Sequence, residues 1–169
     1  EEADTIIDSN QNSGSVSTTD APQLASITIA GNNIADYVIV KPADATESET
    51  FAAEELASYI EKACGAKLEI TEQANSDKVI MLVRDSDGKL GMDGFTIKTE
   101  TGKVTITGGN ERGVLYGAYE FLESYVGWRF LTDTMEYLTT EGTVVIPDGI
   151  DDTQIPTFDY RFISWNSYT

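Results

Sequence analysis

Residues 95–130, FTIKTETGKVTITGGNERGVLYGAYEFLESYVGWRF, constrain the fold more than any other stretch, because three local patterns follow one another without a spacer. Phe95 and Ile97 alternate with Thr96 and Lys98, and Val104 and Ile106 with Thr105 and Thr107, the period-two mark of half-buried strands. Gly102 lies in the short connection between them, so a hairpin is expected. Gly108, Gly109 and Asn110 then stop the second strand, with Asn110 suited to cap a helix. Over residues 111–126, Val114, Leu115, Ala118, Tyr119, Phe121, Leu122, Tyr125 and Val126 recur at helical spacing, and Gly127 can close the helix in the left-handed conformation. A helix apolar over so wide an arc must be covered on more than one side.

What such an element can serve is bounded by charge. The 169 residues carry 29 acidic and 11 basic side chains, a formal net charge of −18, and no histidine. A field of that sign repels nucleic acid and anionic membranes, so neither is expected as a partner. Without imidazole, Ser-His and Cys-His catalysis and His-ligated metals are excluded within the chain. Cys64 has no partner for an internal disulfide and falls at an apolar helix position, where it reads as a small hydrophobe. No stretch approaches the roughly 20 apolar residues needed to span a bilayer. The length suits one domain with a proper core. With Glu1 in place of an initiating methionine, the sequence reads as a processed or engineered fragment.

Residues 1–24 form a polar, acidic stretch without lysine or arginine, expected to be a disordered tether of the kind that links exported domains to something upstream. Order is expected from Leu24: a strand through Ile27 and Ile29, a turn at Gly31, Asn32 and Asn33, and a second strand over residues 37–40. Thr46 and Glu49 have the spacing of a capping box for a helix over residues 47–63, with Ala53, Leu56, Ala57, Ile60 and Cys64 on one face and Gly65 ending it. Residues 67–71 are strand-like. Val79, Ile80, Met81, Leu82 and Val83 lack alternation, as in a strand covered on both faces and central in its sheet. Residues 128–131 read as a short strand, and residues 136–139 and 143–146 as an edge hairpin before an acidic loop. The class is therefore α+β, a mixed sheet of about seven or eight strands with two main helices, in a domain spanning residues 25–150.

Gly113 and Gly117 each cost about 1 kcal/mol relative to alanine in a helix, so a close approach to the sheet is expected there. Tyr116, Tyr119 and Tyr125 could contact sugar or a partner surface, against a plainer role in packing. The loop from Gly108 to Gly113 lacks the Lys-Ser/Thr of a phosphate-cradling loop, and Glu111 would repel the anion. Asp85, Asp87 and Asp93 suggest calcium, but Lys89 and Thr96 occupy positions where ligands belong, and a polar turn reads better. No cofactor is expected. Arg112 and Arg129 have Glu120, Glu123 and Asp133 as candidate partners. With 29 acids, some carboxylate pair at glycosidase spacing would arise by chance, so abundance carries no weight.

Several of these motifs occur together in a known order. AAEELASYIEKACGAKLEI, a hydrophobic strand, and then GFTIKTETGKVTITGGNERGVLYGAYEFLESYVGWRFL resemble the N-terminal accessory domain of bacterial glycoside hydrolases, including α-glucuronidases and β-N-acetylhexosaminidases. The similarity covers residues 27–146. Its most specific piece is Gly109, Gly113, Tyr116 and Gly117, with Gly127, Trp128, Arg129 and Phe130. The resemblance implies a mixed sheet with two helices on one face, no catalytic residues, and a (β/α)8 barrel downstream that performs the chemistry. Residues 151–169 then read as a linker and the truncated start of that barrel, with a proline-led first strand over residues 155–162 and Trp165 and Asn166 without an independent role. The resemblance implies a secreted or cell-envelope protein of polysaccharide degradation in which this domain braces the barrel and shapes one side of its cleft. A self-sufficient glycan-binding module, with carbohydrate as partner, is the alternative. It would need a platform of exposed aromatics.

Overall fold

The computed structural model describes residues 23–132 and 134–158. The tether expected over residues 1–24 therefore lies almost wholly outside the described residues, as do Asp133, Trp165 and Asn166. The main sheet has six strands in the order β11-β6-β7-β5-β3-β4. Here β3 is Val38–Val40, β4 is Glu69–Thr71, β5 is Val79–Arg84, β6 is Phe95–Glu100, β7 is Lys103–Gly108 and β11 is Asp151–Gln154. Strands β4, β3, β5 and β7 run parallel, and β6 pairs antiparallel with both β7 and β11, which makes the sheet mixed. The apolar run of β5 does lie centrally, between β7 and β3. The hairpin between β6 and β7 closes through Thr101 (φ 51°) and Gly102 (φ 80°), both left-handed, as a two-residue loop requires.

Two helices follow parallel strands. Helix α1, Glu47–Cys64, begins at the expected capping box, with Thr46 and Glu49 exchanging hydrogen bonds, and ends at left-handed Gly65. Helix α2, Glu111–Glu120, begins at Asn110, whose side chain accepts from the amides of Arg112 and Gly113. The chain then differs from the single helix expected over residues 111–126: Phe121–Val126 forms a π-helical turn. Bonding five residues apart brings Phe121 and Val126 to the same side, and both are fully buried. Gly127 ends the turn at φ 104°.

Ile39, Ile80, Leu82, Phe95, Ile97, Val104 and Ile106 project to the helical side of the main sheet and share one core with Ala53, Leu56, Ile60, Val114, Ala118, Phe121 and Leu122. A second sheet, β10-β1-β2, contributes Ile27, Ile29, Val144 and Ile146 to that core. In it β1 is Leu24–Ile29, β2 is Asn32–Asn33 and β10 is Gly142–Ile146. Tyr37 ties this sheet to the main one by donating to the carbonyls of Ile29 and Gly102.

The edge hairpin expected from residues 136–139 and 143–146 does not form. Strand β9, Glu136–Leu138, turns back onto β8, Trp128–Phe130, while β10 pairs in parallel with β1 from the far end of the domain. The reason lies in side-chain character. Val144 and Ile146 alternate with exposed Thr143 and Val145, and their apolar side is buried when it extends the face of Ile27 and Ile29.

Candidate functional site

The glycine corner between β7 and α2 is built by backbone contact. The Gly109 amide donates to the Gly94 carbonyl at 2.8 Å, and the Asp85 amide donates to the Gly108 carbonyl at 2.7 Å. A Cβ on Gly109 would lie 1.9 Å from the Gly91 carbonyl oxygen, and one on Gly113 would lie 2.5 Å from that of Gly94. On the next turn, a Cβ on Gly117 would meet Ile106 Cγ2 at 2.6 Å. Gly109 and Gly113 thus set backbone against the backbone of Gly91, Gly94 and Gly108, and Gly117 lets the helix close onto the side chains of Ile106 and Phe95. The helix cost of two glycines is met by that approach.

Asp85 is part of the same corner. Its carboxylate accepts from the amides of Asp87 and Leu90, both at 2.9 Å, so it caps a turn. These amides hold the Asp85 carboxyl below the usual range. The turn delivers Gly91 and Gly94 to the glycine contacts just described.

Away from the sheet, α2 presents polar and aromatic groups. Arg112 Nη2 donates to Asp93 Oδ1 at 2.7 Å. Its partner is therefore neither Glu120 nor Glu123 of its own helix, because the corner folds the loop of Asp93 against the helix start. Arg129 donates to the carbonyls of Glu123 and Trp128, at 2.9 and 2.7 Å, instead of to a carboxylate. Tyr116 is 41 % exposed and lines an open groove of about 700 Å³ with Asp93, Phe95, Gln154, Ile155 and Pro156.

The two helices and β8–β9 close over an aromatic seam. Phe130 lies edge-on to both Tyr59 and Tyr119, with ring centroids 4.9 and 5.0 Å apart, and Trp128 lies edge-on to Tyr59 at 5.0 Å. Trp128 Nε1 donates to the Tyr59 carbonyl at 3.2 Å. Tyr119 donates to Glu55 at 2.5 Å, Tyr59 to Glu136, and Lys62 to the other oxygen of Glu136 at 2.9 Å. Burial and then the neighbouring carboxylates raise the phenols of Tyr59 and Tyr119 well above their ordinary range. Tyr125 donates to Asp152, joining the π-helical turn to β11. Gly127 permits the step from helix to seam: Thr139 and Thr140 donate to the carbonyls of Gly127 and Val126 at 2.7 and 2.8 Å.

At the other helix start, fully buried Glu49 accepts from Arg84 Nε at 2.5 Å and Nη2 at 2.6 Å. Burial alone would push this carboxyl up; the guanidinium and the Thr46 amide reverse that and hold it below the usual range. Nothing in the local sequence marks Arg84 as its partner, 35 positions away. Cys64 is half-buried and donates to the Ile60 carbonyl, and burial raises its thiol. Among the described residues no group of three or more His, Cys, Asp or Glu is placed to hold a metal ion, and no helix is long and apolar enough to cross a membrane.

Glu49, Glu55, Asp93, Glu136 and Asp152 each accept a hydrogen bond from Arg or Tyr within the fold. Residues 29–121, more than half of the chain, match the family described as "Glycosyl hydrolase family 67 N-terminus". The chain belongs to that family. This family 67 N-terminal domain is also 59% identical over 34 residues to a "Probable alpha-glucuronidase A" of Aspergillus clavatus, a match that covers 20% of this chain and 4% of that protein. Its fold is similar to part of the N-acetyl-β-hexosaminidase of Streptomyces plicatus, at TM-score 0.52 and 16% identity over 73% of this chain and 23% of that one. The GH20 β-N-acetylhexosaminidase of Streptomyces coelicolor A3(2) matches at TM-score 0.54 and 17% identity, over 83% of this chain and 25% of that one. These are likenesses of fold. The chain thus spans only a small part of the relatives it matches, and the resemblance to a glycoside hydrolase N-terminal domain stands.

Proposed function

We propose that this domain is a non-catalytic part of a secreted or cell-envelope glycoside hydrolase, bracing a catalytic barrel that follows it in the same polypeptide and shaping one side of the substrate cleft. The observation that carries the reading is membership of a family named for an N-terminal segment. Support comes from the way the fold uses its side chains. In its conspicuous motif, Gly109, Gly113, Gly117, Gly127, Trp128 and Arg129 serve close packing and internal hydrogen bonds while Tyr116 stays exposed, and several of its acids act as acceptors for Tyr and Arg. The short match to a probable α-glucuronidase favours an α-glucuronoside as the substrate class of the whole protein. The cation-free stretch of residues 1–23 favours a place outside the cytoplasm, as a tether.

The test is hydrolysis of chromogenic α-glucuronosides and β-N-acetylhexosaminides by residues 1–169 and by the longer polypeptide. The reading expects turnover only from the longer polypeptide. Turnover by residues 1–169 that disappears when one of their own acids becomes the amide would overturn it. Retardation of residues 1–169 on polysaccharide gels would favour an independent glycan-binding module, for which exposed Phe51, Tyr116, Tyr137 and Phe158 are the aromatic candidates among the described residues.

A further inference from the structure

The large apolar side chains left exposed are not spread evenly. Met92 (62 % exposed), Tyr116, Ile155 and Phe158 (70 % exposed) gather around two adjoining hollows at the start of α2. Met92, Ile155, Pro156 and Phe158 line the smaller one, and Tyr116, Ile155 and Pro156 the larger. Tyr116 comes from α2, Met92 from the loop pinned by Asp85, and Ile155 and Phe158 from the segment that leaves β11. The patch has a rigid base, because the glycine contacts fix the first two elements against each other. Apolar side chains converging from three elements onto a concave surface are the pattern of an interaction site.

Its occupant is indicated by where the chain goes. Ile155, Pro156 and Phe158 belong to the segment that leads into residues 159–169, so whatever those residues carry is held beside the patch at an effective concentration in the millimolar range. We propose that this patch seats the following domain of the same polypeptide, packing an apolar surface over Met92, Tyr116, Ile155 and Phe158. The proposal rests on the bracing role given above and adds the face through which it acts. A second exposed group, Leu131, Met135 and Tyr137, lies on and beside β8–β9, which the aromatic seam holds against α1, and lines neither hollow. The seat proposed here leaves that group in solvent.

The two groups each contain one methionine, and the contrast supplies the test. In the intact longer polypeptide, dilute peroxide should convert Met135 to its sulfoxide about tenfold faster than Met92, read by peptide mass spectrometry. Tyr116→Ser combined with Phe158→Ser should bring the Met92 rate up towards that of Met135. Equal rates without substitution would overturn the seat, and protection of Met135 alone would move the docking face to β8–β9. Glycoside hydrolysis measured on the same sample separates the two levels. Turnover with Met92 unprotected defeats the seat and leaves the bracing role standing. Met92 protected in a polypeptide that cleaves no glycoside defeats the enzyme reading and leaves the surface.

Discussion

The two helix starts solve one problem in opposite ways. Each helix rises from the end of a parallel strand and must be fixed to the sheet. At α1, side chains do it: Thr46 and Glu49 cap one another, and Arg84 from β5 reaches the same carboxylate. At α2, the absence of side chains does it: Gly109 and Gly113 let backbone touch backbone, with Asn110 supplying the cap. The first junction depends on charge and therefore on pH. The second depends on volume. Around the second, Met92, Tyr116, Ile155 and Phe158 are left exposed; near the first, only Phe51 is among the exposed large apolar side chains of the described residues.

This contrast can be broken at either junction. Gly109→Ala should have the largest effect, because the new methyl meets carbonyl backbone at 1.9 Å and gains no helix propensity in return. A loss of about 3 kcal/mol, or roughly 10 °C or more in Tm, is expected in thermal unfolding. Glu49→Gln keeps the volume and removes the charge. It should cost about 2 kcal/mol in denaturant unfolding, below the range for a fully buried pair because the Arg84 side chain is 36% exposed.

Acid should act on the same junction. The folded Glu49 carboxyl is lowered, so its stabilisation is present above the unfolded value near 4.5 and is lost as pH falls through the folded value. Glu136 acts in the same sense, held down by Tyr59 and Lys62 against the effect of burial. Melting temperature should therefore fall below about pH 4.5, and less steeply in Glu49→Gln.

Tyr119→Phe tests the seam behind both junctions. Loss of the bond to Glu55 should cost about 1 kcal/mol at neutral pH. The raised phenol adds an alkaline signature: its stabilisation is complete below pH 10 and is lost as pH rises from there towards the folded value, so the variant should be less sensitive to alkali. The smallest effect is expected at Gly117→Ala. The methyl meets a side-chain methyl of Ile106, and about 1 kcal/mol of helix propensity offsets much of the clash. A cost as large as that of Gly109→Ala would erase the distinction between backbone and side-chain contact.

What the sequence disclosed follows the same division. The capping box at Thr46, the Asn110 cap, the stops at Gly65 and Gly127 and the alternating strands β6 and β7 are local, and local chemistry declares them. Two glycines in one helix also declared that something comes close. Arg84 was not visible as the partner of Glu49, nor Asp93 as that of Arg112, because those pairings are made by the chain reversing direction. The hairpin expected from residues 136–139 and 143–146 failed for the same reason: sequence neighbours were preferred, while the fold pairs β10 with β1 more than a hundred residues earlier. The π-helical turn was hidden because apolar residues at 121, 122, 125 and 126 fit a regular helix equally well.

Bracing is tested most directly by heating the longer polypeptide with and without Gly109→Ala while glycoside hydrolysis is followed. If this domain holds the barrel, activity at 25 °C is retained and the inactivation temperature falls in step with the melting of the domain. Activity that outlasts the unfolding of residues 25–158, with an unchanged inactivation temperature, would show that the barrel stands alone.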